Sequence, residues 1–569
     1  MKLSTWLLGC TAGASIGACA FVGQAMAAGA HHDTSYLGQG VKHLVIIYQE
    51  NHSFDNLYGG WDPVEGEPVM GRDGIPKKTF QVRQDNATRY GCFPQLDVNL
   101  TSPPLTVTCT DTAGGTEIDS HFTNSPFAIE DYIPSTATTC PTPNQFATNG
   151  ILDGQGLPGG CTRDIVHRFY SEQYQLNNGD QNRYVTGSDA EGLTMGYYNT
   201  QNLPIYQYLH SDGAPHYVIM DKFFQGAFGG SFLNHQVLVS ATAPVFADAV
   251  HDGGSTDLHS IVDSNGMATS TPLYTPTGTV KDAQLTQECG AGNTLACGDF
   301  AVNTIQPTYQ PFSPGTASYK QLPPLANANI GDIMSGGGVT WAWYSGGWSN
   351  ADGDVGKPGW TNGPRKDHSC EDPNVNPSAV WPNCPDGAFQ FHHQAFNFYA
   401  TYAPGTTARK EHLRDEAEFF TQASTGKLPT VSFIKPLGEN NEHPGYSSET
   451  HGSSHLVDLL NAVFSGPDAD STVVMITYDE FGGQWDHLSP PSTRGAGAHD
   501  QWGPGTRIPA VMISPTFAHS GVDHSEHDTT SIMATIEHWK GLSSTGNRDA
   551  VVNDLLAAVK IGRNGNRSN

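Results

Sequence analysis

Three parts of this sequence combine residue types and spacing that could hold a divalent cation and an anion. The apolar run His43-Leu44-Val45-Ile46-Ile47-Tyr48 leads straight into Gln49-Glu50-Asn51. A second run, Val473-Val474-Met475-Ile476-Thr477-Tyr478, leads into Asp479-Glu480 and then Phe481-Gly482-Gly483-Gln484-Trp485-Asp486-His487. In open α/β sheets, ligands bind beyond the carboxyl ends of the strands. Carboxylate and amide oxygens at two such ends suit a hard or borderline divalent cation. The third part is Asp221 to His235: a strand end, the glycine-rich Gly226–Gly230, and Ser231 at an expected helix start. Unspent N–H groups and the positive helix end favour an anion there. An ordinary serine cap after a glycine turn has the same spelling. The run is not the G-x-S-x-G elbow, because Gly230 directly precedes Ser231 and Leu233 stands at the second glycine place.

Histidine adds a fourth component, with 24 in the chain against 28 Lys and Arg. His167-Arg168-Phe169-Tyr170, Phe391-His392-His393-Gln394 and Glu439-Asn440-Asn441-Glu442-His443-Pro444 place histidines in loops or at element ends. Protonated imidazole can bind phosphate or donate to a leaving group.

These pieces need a scaffold. Continuous β-branched runs, rather than alternating ones, suit strands covered on both faces, as in a parallel sheet. Such runs occur at His43–Tyr48, Tyr217–Met220, Thr340–Tyr344, Thr430–Ile434, Val473–Tyr478 and Ile508–Ser514. Helical patterns fall at Asn202–His210, Phe232–Ser240, Thr407–Thr421, Ser453–Phe464 and Thr529–Lys540. The βαβα order predicts a three-layer α/β/α sandwich. One domain over 28–562 is expected, with Thr-, Pro-, Gly- and Cys-rich insertions at about 62–160 and 245–330 and a flexible tail over 563–569.

Composition narrows the function. With 56 acidic residues against 28 basic ones, the net charge is −28. Nucleic-acid binding needs a basic footprint, and so does a polybasic membrane clamp. Lys2, the apolar and small stretch Trp6–Val22, and Ala25-Met26-Ala27 read as a signal peptide over 1–27, cut near Ala27/Ala28. Nothing later has 18 uninterrupted apolar residues, so no integral membrane contact is expected. The mature protein is expected to be secreted or periplasmic. Cys10 and Cys19 leave with the signal; the rest form local couples, 92–109, 140–161, 289–297 and 370–384, which nearest-neighbour pairing would bridge in an oxidising compartment. A zinc site is the competing reading, and no C-x-x-C spacing supports it.

The ten residues Glu50-Asn51-His52-Ser53-Phe54-Asp55-Asn56-Leu57-Tyr58-Gly59 match the E-N-[RH]-S-F-D opening of a bacterial phosphoesterase family. That family holds phosphocholine-preferring phospholipases C and respiratory-burst-inhibiting acid phosphatases. The chain resembles it again, in order, at Met195–Tyr198, Asp221–His235, Phe391–Phe396, Asn441–Tyr446, Asp479–His487, Gly505–Pro509 and His527–Ile532. The resemblance implies an alkaline-phosphatase-like α/β/α fold. It implies one divalent metal held by Glu50, Asn51, Asp479, Glu480 and Ser231, with Ser231 as the nucleophile forming a phosphoserine. By the same resemblance His167, His392 or His393, and His443 would surround the phosphate, and Asp486 would orient a histidine or assist proton transfer. The family's lipase branch resembles G-P-T-x-P-N-R, with Thr as nucleophile; here Gly229-Gly230-Ser231-Phe232-Leu233-Asn234-His235 is similar to the acid phosphatase branch. The expected activity is therefore hydrolysis of small phosphate monoesters, with a phospholipase C as the alternative. Thiol titration of the denatured, unreduced mature protein should find almost no free cysteine; a full set of titratable thiols would contradict both the bridges and export.

Overall fold

The apolar runs become strands because both of their faces are covered. In the computed structural model, residues 40–565 are described, apart from 76–79, 84, 95–104, 116, 134–163, 189, 245–307, 316–323, 373–377, 447 and 496. Strand β1 is His43–Gln49, and Leu44 to Gln49 are all buried. Burying each large aliphatic side chain contributes about 1.5–3 kcal/mol. The other strands of the main sheet are β2 His216–Met220, β3 Trp341–Ser345, β4 Leu413–Asp415, β5 Val431–Lys435, β6 Thr472–Tyr478, β7 Ala510–Ser514 and β8 Gly521–Asp523. Their order is β8-β2-β7-β6-β1-β5-β3-β4.

Helices cover both faces, giving the expected three layers. Along the chain they include α1 Pro204–Leu209, α2 Ser231–Ser240, α3 Glu416–Thr425, α4 Glu449–Phe464, α5 Thr530–Lys540 and α6 Leu556–Asn564. One group joins α4 to α1 and α3; the other joins α2 to α5, with α6 against β2 and β8.

Two expectations need correction. The sheet is mixed rather than parallel, because β7 runs antiparallel to both β6 and β2. A strand buried on both faces has the same apolar spelling in either direction. The helix expected over Thr407–Thr421 is two helices, Thr407–His412 and α3, with β4 between them. Asp415 makes the break by ending β4 and capping α3, where its carboxylate accepts from Ala417 N at 3.0 Å. Of the tail expected over 563–569, Arg563 and Asn564 close α6, which docks where the Gly562 carbonyl accepts from Ala518 N and His519 N, and 566–569 lie outside the described residues.

Cys92–Cys109 and Cys370–Cys384 are disulfides, as expected; 140–161 and 289–297 lie outside the described residues, as does the signal segment. Loops of 17 and 14 residues are each stabilised by about 3 kcal/mol on cross-linking. No described helix is long and apolar enough to cross a membrane.

A charged histidine fastens the first insertion to the sheet. His524 donates from Nδ1 to Asp221 at 2.8 Å and from Nε2 to Glu67 at 3.1 Å. Only a protonated ring donates from both nitrogens. The Asp221 hydrogen bond chiefly raises its pKa from 6.5 to about 9. A folded-state pKa above the unfolded one stabilises fully below about 6.5, and that contribution is lost as pH rises through about 9. The Tm gap between wild type and His524→Gln should be widest at the acid end and close by alkaline pH. A pH-independent gap would show that the pair contributes no charge term.

Candidate active site

The sheet order brings the acids together. β6, β1 and β5 are neighbours running parallel, so Asp479 and Glu480, Glu50 and Asn51, and Lys435 emerge side by side. Asn51 turns at once into the left-handed region, φ 56°, a conformation that asparagine tolerates better than most residues. Its N–H donates to Asp479 Oδ1 at 3.1 Å, which stitches the two strand ends. Gly482 lies at φ 63°, and a Cβ there would collide with the Asn51 carbonyl. Its own N–H donates to Glu480 Oε2 at 2.6 Å and aims that carboxylate.

Ser231 is the first residue of α2, after Gly230. Its Oγ donates towards Glu50 Oε2 at 3.3 Å, Asn51 Oδ1 at 3.4 Å and Glu480 Oε1 at 3.4 Å. The glycine loop before it is braced from beneath. Buried Glu172 accepts from Gly229 N at 2.6 Å, Gln225 Nε2 at 2.9 Å, Thr506 N at 2.7 Å and Thr506 Oγ1 at 2.8 Å. Burial lifts the Glu172 pKa to about 7 against the pull of those donors. Gln225 Oε1 accepts from Phe481 N at 2.9 Å, so one brace serves both the serine loop and the acidic loop. Gly229 has φ 90°, and a Cβ would lie 2.6 Å from Phe169 N.

Histidines surround this point. His167 Nε2 is 3.3 Å from Glu480 Oε1, with Nδ1 donating to the Ile165 carbonyl at 2.5 Å. His393 Nδ1 is 3.1 Å from Glu50 Oε1. His392 lies edge-on to His393, ring centres 4.2 Å apart, so of this pair His393 is the one against the acids. Burial holds His392 and His393 well below the ordinary histidine range. His443 stacks on Tyr446 at 3.9 Å, donates from Nδ1 to the Pro444 carbonyl, and accepts from Asn51 Nδ2 at 2.9 Å. It thus orients the Asn51 amide. Burial lowers its pKa too.

Asp486 departs from its expected place. It pairs with Arg507 Nε at 3.1 Å and accepts from Asp55 N at 3.0 Å, and Arg507 Nη2 bonds Asp55 Oδ1 at 2.9 Å. Asp55 also pairs with His487 at 2.7 Å. Asp486 therefore braces the Phe54–Leu57 turn instead of orienting one of the expected phosphate histidines. Burial raises its pKa to about 6 despite Arg507.

Two participants were not singled out from the sequence. His235, one helical turn after Ser231, donates to the Ser231 carbonyl at 2.7 Å and stacks on His393 at 4.7 Å. The i, i+4 spacing from Ser231 was its one legible signal. Lys435, the last residue of β5, ion-pairs with Glu50 Oε1. A lysine closing an apolar strand signals a buried partner, but not which one.

The donors fit a cation. Asp479 Oδ2, His235 Nε2 and His393 Nε2 are buried with no hydrogen-bond partner among the described residues. Glu480 is pushed well above the carboxylate range by burial and then by Asp479. Glu50, Asn51, Ser231, Asp479 and Glu480 offer the oxygen ligands of a hard divalent ion.

A serine hydroxyl at a helix start thus lies against crowded acids and among histidines at the carboxyl ends of a layered sheet. The chain belongs to the phosphoesterase family, whose model matches residues 41–543. Non-specific phospholipase C6 of Arabidopsis thaliana is 30% identical over 154 residues, covering 23% of this chain and 29% of the relative. Phospholipase C B of Mycobacterium tuberculosis is 28% identical over 166 residues, 25% of this chain and 32% of the relative. Non-hemolytic phospholipase C of Burkholderia pseudomallei is 30% identical over 208 residues, 29% of each chain. The matches thus span about a third or less of these relatives. Among solved structures, a 2-O glycosaminoglycan sulfatase superposes at TM-score 0.28 with 11% identity, covering 66% of this chain and 72% of the other.

Asp479→Asn should lose bound metal, because Asp479 supplies a free buried oxygen beside Glu50 and Glu480. Elemental analysis finding full metal in that variant would reject the ligand set.

Proposed function

We propose that this protein is an exported, metal-dependent acid phosphatase that cleaves small phosphate monoesters through a phosphoserine on Ser231. The observation that carries the reading is the Ser231 hydroxyl, within 3.4 Å of Glu50, Asn51 and Glu480 at the start of α2. A divalent cation held by Glu50, Asn51, Ser231, Asp479 and Glu480 would lower the hydroxyl pKa and neutralise phosphate charge. Ser231 Oγ attacks phosphorus as its proton passes to Glu480 Oε1, the bond to the leaving alkoxide breaks, and water then cleaves the phosphoserine. The first turn of α2 turns its unspent N–H groups towards the anion. His167 Nε2, beside Glu480, is placed to hold the proton that the alkoxide takes. His393 and His392 line the phosphate side, and His443 keeps the Asn51 amide turned to the serine. Export is supported by the amino-terminal signal pattern and the two disulfides.

The relatives named phospholipase C favour a second reading on the same site, cleavage of phosphodiesters at a lipid headgroup. Serine in place of the lipase branch's threonine favours the monoesterase. Rates on p-nitrophenyl phosphate and p-nitrophenylphosphorylcholine, with and without chelator, separate the two. The monoester should be turned over faster and chelator should abolish it; preference for the choline ester would establish the lipase. Ser231→Ala should cut kcat by at least roughly a thousandfold with the melting curve unchanged, since a small hydroxyl is lost and packing is kept.

A further inference from the structure

Lys435 reaches the centre from behind Glu50. Its side chain is buried, at 1% exposure, and a buried lysine needs a partner. The ammonium ion-pairs with Glu50 Oε1 and donates to the Tyr48 carbonyl at 3.1 Å. The other carboxylate oxygen, Glu50 Oε2, is the one facing Ser231. Burial lowers the Lys435 pKa to about 7, while Asp479 and Glu480 pull it upward and favour the charged form. Lys435 thus meets the centre by direct contact at Glu50, whose other oxygen faces the nucleophile.

Charge accounting gives this placement a purpose. Glu50, Asp479 and Glu480 carry three negative charges when ionised, whereas Asn51 and Ser231 bring none. One divalent ion leaves one negative charge uncancelled, facing an incoming phosphate that is itself anionic. We propose that Lys435 is the fixed cation that completes the charge balance of the centre, so that a phosphate ester can enter a site already holding three carboxylates. It is a positioning and charge-balancing residue, not one that touches substrate. The inference rests on the metal-dependent reading above.

The two ligands should respond in opposite directions. Without Lys435 the acids are more negative, so a divalent cation binds as tightly or tighter, while phosphate binds more weakly. A packing role would weaken both or neither. The experiment is calorimetric titration of the full mature protein, first with Mn2+ alone and then, on the Mn2+-loaded protein, with orthophosphate. Lys435→Met should keep or improve Mn2+ affinity and weaken orthophosphate by about tenfold or more, with KM for p-nitrophenyl phosphate rising alongside. Orthophosphate binding equal to wild type would overturn the proposal, as would a folded variant that loses Mn2+. If Lys435→Met does not fold, Lys435→Ala is titrated with and without ethylammonium. Restored orthophosphate affinity supports the fixed-cation role, and no restoration refutes it. Wild-type protein that binds no Mn2+ would defeat the metal-dependent reading itself, and the charge balance with it.

Discussion

Mutual repulsion of three buried carboxylates is the constraint on which the rest of the site depends. Glu50, Asp479 and Glu480 are all shielded from water, at 0% exposure. Taking each ionised acid from water costs several kcal/mol, and gathering them adds repulsion. The surrounding structure is organised to offset this. The Asn51 and Gly482 N–H groups fix two of the acids, and Lys435 answers the third. Asp479 Oδ2 has no hydrogen-bond partner among the described residues and faces His235 Nδ1 at 3.8 Å. Ser231 is positioned by the same crowding, because Glu50 and Glu480 both accept from its hydroxyl.

Holding repelling groups together requires rigid walls, and two buried networks provide them. Arg507 joins Asp55 and Asp486 while also donating to the Met70 carbonyl at 2.6 Å and the Asp221 carbonyl at 2.9 Å. It ties the turn after β1, the acidic loop after β6 and the end of β2 into one piece. Glu172 and Gln225 do the same on the serine side. Removing one partner of such a network leaves a buried charge uncompensated, typically at 3–5 kcal/mol.

Much of this was legible in the sequence, for identifiable reasons. A parallel strand followed at once by acids states both an element and where it points, so Glu50, Asn51, Asp479 and Glu480 could be read together. The glycine loop before Ser231 announced a helix start. Asp486 was misplaced because its spacing from Glu480 carries no direction: the Gly482–Gly483 turn, with both residues at positive φ, swings it towards Arg507, 21 residues on. Lys435 acts through Glu50, 385 residues away, and His235 stacks on His393 from a distant part of the chain, relations that local pattern does not encode. The direction of β7 was hidden because burial on both faces, not orientation, sets its composition.

The two margins of the main sheet are β4 and β8, each only three residues long, whereas the strands at its centre, β1 and β6, have seven. A sheet margin is an open row of backbone donors and acceptors onto which a stray strand can add. Here each margin exposes too little backbone to seed such pairing, and β4 runs directly into helix α3 through the Asp415 cap. The long apolar strands that aim the acids are enclosed at the middle of the sheet. The strand-forming sequence is thereby kept from offering a long open edge to a stray strand.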